Sequence, residues 1–104
     1  MEIGTRSQLQ SKLEALLGSK NVYFQPPESC KMQYPAIVYS LNDIDLDKAS
    51  NKIYNINKSY SVTLIHKNPD NTLKDLILNE FEYIRFNRFY TADNLNHYNY
   101  TIFF

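Results

Sequence analysis

The chain has 104 residues, enough for one ordinary domain with a modest core and too few for two. Hydrophobic residues make up 43% of it, which excludes a disordered tail, and no apolar run approaches the roughly 20 residues that span a bilayer. Eleven basic residues balance eleven acidic ones, so the basic excess needed to bind along a phosphate backbone is missing.

The chain starts Met1-Glu2-Ile3-Gly4-Thr5, without the basic start and apolar stretch of a signal peptide. It is expected to be made and kept in a cytoplasm, unless it leaves inside an assembly. A helix is predicted from Thr5 to Leu17. Thr5 serves as N-cap, and Gln8 completes a capping box. Leu9, Leu13, Leu16 and Leu17 form one apolar stripe, with Arg6, Gln10, Lys12 and part of Glu14 opposite. Gly18 falls where a left-handed cap is needed.

Val22-Tyr23-Phe24 reads as a short strand that runs into Gln25-Pro26-Pro27 and therefore ends or lies at an edge. Residues 28–35 form a connection. It contains Cys30, the single cysteine, which excludes an internal disulfide. A catalytic thiol would need a positioned histidine, and His66 and His97 reach it only through the fold, so a structural or surface thiol is the simpler reading. Ala36 to Leu41 is a second strand. Residues 43–57, rich in Asp, Asn and Lys, read as a long projecting loop or a hairpin extension. Lys58 to Lys67 is a strand with Tyr60, Val62 and Leu64 on one face.

Asn68-Pro69-Asp70-Asn71 signals a turn, and Asn71 or Thr72 caps a second helix to Phe81 with Leu73, Leu76, Ile77 and Phe81 in its stripe. Tyr83 to Tyr90 is a strand of imperfect alternation, since Ile84 and Phe86 share a face that Phe89 misses. A β-bulge near Asn87 and Arg88 would restore the frame. After a polar turn, His97 to Phe104 closes the chain with Tyr98, Tyr100, Ile102 and Phe104 on one face. Helices and strands do not alternate strictly, so the expected class is α+β: residues 1–104 as one domain, a mostly antiparallel sheet flanked by two helices. Nine tyrosines and six phenylalanines suit both a half-buried sheet and a protein interface.

Sequence motifs for chemistry are sparse. Asp43, Asp45 and Asp47 resemble the start of a calcium loop, but the required glycine and glutamate positions hold Lys48 and Tyr54. His66, His97 and Cys30 lack the local spacing of a zinc site. With two glycines, Gly4 and Gly18, both at helix boundaries, no phosphate loop can be drawn, and there is no nucleophile elbow. Glu80 and Glu82 flank a helix end, where exposure is the default. No enzyme activity, metal or cofactor is expected. Lys58 and Lys67 on one strand and Arg85 and Arg88 on another read as scattered charges unless the bulge aligns the arginines.

Three segments carry a resemblance when taken together in order: Val22-Tyr23-Phe24-Gln25-Pro26-Pro27-Glu28, Met32-Gln33-Tyr34-Pro35-Ala36-Ile37-Val38-Tyr39 and Tyr90-Thr91-Ala92-Asp93-Asn94-Leu95-Asn96-His97. Between them stand Tyr60 to Ile65 and Asn68-Pro69-Asp70. From Val22 onward this series of short words is similar to the small neck and tail-completion proteins of tailed bacteriophages, the tail terminators among them. The resemblance implies a sheet flanked by helices and a homo-oligomeric ring, a hexamer in that family. Such a ring stops the tail tube and joins it to the head connector, with no cofactor and no turnover. It implies the tail tube protein and a connector or stopper protein as partners, DNA as passing cargo in the channel, no membrane, and a place in the virion after assembly in the bacterial cytoplasm. Asp43, Asp45, Asp47, Lys48, Tyr54, Tyr90, Asp93, Asn94 and His97 are then the candidate interface residues, and Lys58, Arg85 and Arg88 the candidate channel-facing ones. Another neck, head-completion or minor capsid role, and a soluble protein-binding module outside the virion, are the alternatives.

Overall fold

The computed structural model describes residues 5–27, 31–49 and 52–104, and between 43 and 57 it describes backbone pairing only. Gly4, Cys30 and the start of the connection that holds Cys30 lie outside the described residues. Helix α1 spans Arg6–Leu17 and begins as its capping box dictates. The Gln8 N–H donates to Thr5 Oγ1 at 3.2 Å, and the Thr5 N–H donates to Gln8 Oε1 at 2.8 Å. Gly18 ends it at φ 78°, a left-handed conformation that a side chain disfavours. Leu9 and Leu13 are fully buried, while Leu16 and Leu17 pack at the margin of the core.

Strand β1 spans Val22–Phe24, β2 Ala36–Ala49, β3 Lys52–His66, β4 Ile84–Ala92 and β5 Leu95–Phe103, with helix α2, Leu73–Glu80, between β3 and β4. The sheet order is β1-β2-β3-β5-β4. Only β1 and β2 run parallel, so the sheet is mostly antiparallel and the class is α+β. Short β1 lies at one edge, where the two prolines after it interrupt no ladder.

One face of the sheet carries the core. Ile37 and Tyr39, then Tyr60, Val62 and Leu64, then Tyr98, Tyr100 and Ile102 alternate inward and meet Leu9, Leu13, Ile77 and Phe81 of the helical layer. Burying each such side chain stabilises by about 1.5–3 kcal/mol relative to exposure. Among the described residues four tyrosines, Tyr39, Tyr60, Tyr98 and Tyr100, are therefore core residues, and three of their hydroxyls donate to partners. Tyr39 donates to Gln10 Oε1, Tyr98 to the Pro69 carbonyl at 3.2 Å, and Tyr100 to the Lys74 carbonyl at 3.0 Å.

The structure corrects some sequence readings and decides between the alternatives in others. The strands expected to stop at Leu41 and to start at Lys58 run on to Ala49 and from Lys52, so the described part of this segment forms the hairpin extension, one of the two forms expected of it. Its pairing continues from Asp43 with Ser59 to Ala49 with Lys52. Gln10 and Lys12 do not merely face outward. Gln10 Nε2 donates to the Val22 carbonyl at 3.1 Å, and Lys12 reaches Glu80 at 3.7 Å above the Phe81 ring. In α2 the inward row is Leu73, Ile77 and Phe81, at four-residue spacing, with Ile77 and Phe81 buried and Leu73 partly so, while Leu76 turns out to 47% exposure. The cap of α2 is supplied by Asn71, whose Oδ1 accepts the Lys74 N–H at 3.1 Å; Thr72 makes no side-chain cap.

Candidate functional site

The predicted bulge exists, and it decides what the far edge of the sheet presents. Phe86 pairs with Tyr100 and Arg88 with Asn99, leaving Asn87 as the extra residue of β4. The shift moves Phe89 opposite Tyr98, so Ile84, Phe86 and Phe89 all fall on the core side. It also moves Arg88 onto the same face as Arg85, which pairs with Thr101. The arginines are aligned rather than scattered. Lys58 is not brought to them, because it shares the parity of Tyr60 on the core side.

The face opposite the core carries a connected polar layer. Asn87 Nδ2 donates to Asn99 Oδ1 at 2.9 Å and to Thr101 Oγ1 at 2.8 Å. Asn99 Nδ2 donates in turn to Ser61 Oγ at 3.1 Å and Thr63 Oγ1 at 3.0 Å, so three strands are tied together across their side chains. Arg85 Nε donates to Asn87 Oδ1 at 3.3 Å. The Arg88 guanidinium lies over the Tyr90 ring at 5.0 Å, and Tyr90 stacks on His97 with centroids 4.7 Å apart. The His97 Nδ1–H donates to the Leu95 carbonyl at 3.1 Å, which fixes the ring for that stack. Asp93 and Asn94 hold φ values of 53° and 61° and make the two-residue turn that joins β4 to β5.

Tyr90, Asp93, Asn94 and His97 thus gather at one end of the β4–β5 hairpin. Asp43, Asp45, Asp47, Lys48 and Tyr54 lie along the β2–β3 extension, described by backbone alone. The two groups do not form one site within a single chain; they occupy the distal arm and the far edge strand.

Eight of the nine β4 residues are exposed. Phe86 stands at 45% and Phe89 at 49% exposure, and Leu78 of α2 at 38%. Leu78, Phe86, Tyr98 and Tyr100 line a shallow apolar notch there. The pattern that reveals this surface in the sequence is the bulge itself; exposure of Leu76 and Leu78 has no such signal, because leucines on both sides of a short helix read equally well as core.

Among the described residues no group of three or more His, Cys, Asp or Glu side chains is placed to hold a metal. His66 sits at a strand end, its Nδ1 accepting the Asn68 N–H at 3.0 Å, and burial and the charge of Lys74 hold its pKa below the ordinary 6.5. No helix among the described residues is long and apolar enough to cross a membrane. No protein-family model matches the chain, and no curated protein sequence matches it.

Proposed function

We propose that the chain is a structural subunit that assembles with copies of itself into a ring at the head-proximal end of a phage tail, where it ends the tail tube and joins it to the head connector. The observation that carries this reading is the β2–β3 extension. From Asp43 to Lys58 its two strands pair with each other, while β1 reaches β2 only as far as Tyr39 and β5 reaches β3 only as far as Ser59. An isolated two-stranded ribbon is marginal in water and adds little to the body it leaves. A ribbon of this length is useful when another surface receives it.

Support comes also from shape. The chain measures 51 × 29 × 23 Å, with a radius of gyration of 14.8 Å against roughly 13 Å for a compact chain of this length. The extra reach suits a subunit with a compact body and one arm. The function is steric: tube growth stops because the ring covers the terminal subunits, and the ring offers a second surface to the connector. It needs no cofactor, and DNA crosses the ring as cargo.

The test is negative-stain electron microscopy of particles made by a phage that lacks this gene. Overlong or ragged tails detached from filled heads are expected. Normal tails on intact, infectious virions would remove the tail role.

A further inference from the structure

Resting on the reading of the chain as a self-assembling subunit, we propose that copies join edge to edge, the β2 arm of one copy adding as a strand to the free edge of β4 in the next. Four features of the two edges match. First, both are open among the described residues. β4 is the last strand of the sheet and pairs only with β5, and β2 loses its outer neighbour after Tyr39. The Gln25 side chain, through Oε1, accepts the Leu41 N–H at 3.4 Å, and among the described residues no strand lies along β2 beyond it. Unpaired edges of this length are templates for strand addition.

Second, the charges are complementary. β4 and β5 contain Arg85 and Arg88 and no Asp or Glu. Among the described residues the one ion pair is Lys12 with Glu80, so neither arginine has a carboxylate within its own chain there. On the arm, Asp43, Asp45 and Asp47 pair with Ser59, Asn57 and Asn55, which places all three positions on the Ser59 side of the ribbon, the side opposite the core. Arg85 and Arg88 occupy that same side of the sheet.

Third, the spacing agrees. The bulge at Asn87 sets Arg85 and Arg88 two register positions apart on β5, at Thr101 and Asn99. The aspartates recur every second residue, so both sets repeat at roughly 7 Å. Fourth, the opposite sides agree as well. Ile44, Leu46 and Ile56 take register positions on the core side of the ribbon, and Ile84, Phe86 and Phe89 take the core side of β4. An added strand therefore sets acids beside arginines on one face and apolar residues beside exposed aromatics on the other.

Topology fixes the direction. Across the order β2-β3-β5-β4, β4 runs opposite to β2. Continuing the sheet into a second copy with the same face inward makes the new β4–β2 pair antiparallel. Two different patches meet, so the contact is head-to-tail and propagates, closing into a ring when the rotation per subunit permits. Duplex DNA on the arginines is the weaker reading, because two arginines on a chain of zero net charge make a poor phosphate track.

The test uses two full-length charge variants, R85E/R88E and D43K/D45K/D47K, compared by sedimentation velocity with the unsubstituted protein. The unsubstituted protein is expected to form oligomers. Each variant alone opposes like charges across the contact and sediments as a monomer. Mixed in equal amounts they restore opposite charges at every contact and recover the oligomer. Thermal melts near those of the unsubstituted protein check that both variants fold. An unsubstituted protein that stays monomeric up to roughly 1 mM, the weak end of specific association, overturns the contact. So does a mixture that stays monomeric. R85E/R88E protein that keeps its oligomer but no longer shifts duplex DNA overturns it too, and gives the arginines to a channel. All of these readings come from purified protein, so normal tails on the gene-deleted phage would remove the tail role and leave this result standing.

Discussion

Tyr39, Tyr60, Tyr98 and Tyr100 are each at most 6% exposed, whereas Tyr83 and Tyr90 stand at 49% and 37%. Tyrosine serves both purposes here because a buried ring can pass its hydroxyl to a polar group at the core margin, as Tyr39, Tyr98 and Tyr100 do. Burial pushes the Tyr100 phenol well above its ordinary value, so it stays a neutral donor to the Lys74 carbonyl at any physiological pH. Burial and the charge of Lys74 lower the pKa of His66, which gives its titration a consequence for stability. Its Nδ1 accepts the Asn68 N–H, a role open only to the neutral ring. Its folded pKa lies below 6.5, so the folded chain binds fewer protons than the unfolded chain as that value is approached. Stability from this group is fully present above pH 6.5 and declines as pH falls below it. Thermal melts from about pH 8 to about pH 5 should show this decline, and His66→Gln should flatten it. An equal slope in the variant would remove His66 as its source. Which tyrosines go inward follows from alternation and is legible in the sequence; the inward turn of Gln10 is not, because a glutamine on a helix flank gives no sign that a tyrosine hydroxyl will meet it.

Among the elements, α1 is the most legible, since Thr5, Gln8 and Gly18 each carry a local reason for their place. The arm is the least. Asp, Asn and Lys are depleted in strands, so residues 43–57 read as a loop with a hairpin as the alternative, and only the pairing of Ile44, Leu46 and Ile56 on one side shows why a ribbon forms. In β4 the legible clue is a broken alternation, and the bulge resolves it without moving the flanking register. Deleting Asn87 should therefore be tolerated. Phe86 stays opposite Tyr100 and Phe89 opposite Tyr98, and the loss is that of three side-chain hydrogen bonds, with Arg85, Asn99 and Thr101. Urea unfolding followed by tyrosine fluorescence should report a loss of about 1–3 kcal/mol with an unchanged slope. A chain that fails to fold after this deletion would show that the bulge sets the register of the whole hairpin.

At the scale of the molecule, a body with one core carries an arm whose strands run on past the pairing of β1 and β5, and an edge strand, β4, that pairs on one side. Leu9, Leu13, Ile77 and the inward strand residues form a single cluster. Stability and assembly should then separate. Replacing residues 45–57 by Asn-Gly joins Ile44 to Lys58, already register partners, through a two-residue turn that suits a right-twisted hairpin. The shortened chain loses only pairing that the arm makes with itself. It should melt within a few degrees of the full chain, a shift of about 1 kcal/mol at most for a domain of this size. Its sedimentation should be that of a monomer at every concentration where the full chain associates, and it should not rescue a phage that lacks the gene. A large loss of melting temperature would mean that the arm folds back on its own body, and the separation of body from arm would fall. Retained oligomers would move the contact to the hairpin end built by Tyr90, Asp93, Asn94 and His97, the second surface that the fold leaves open.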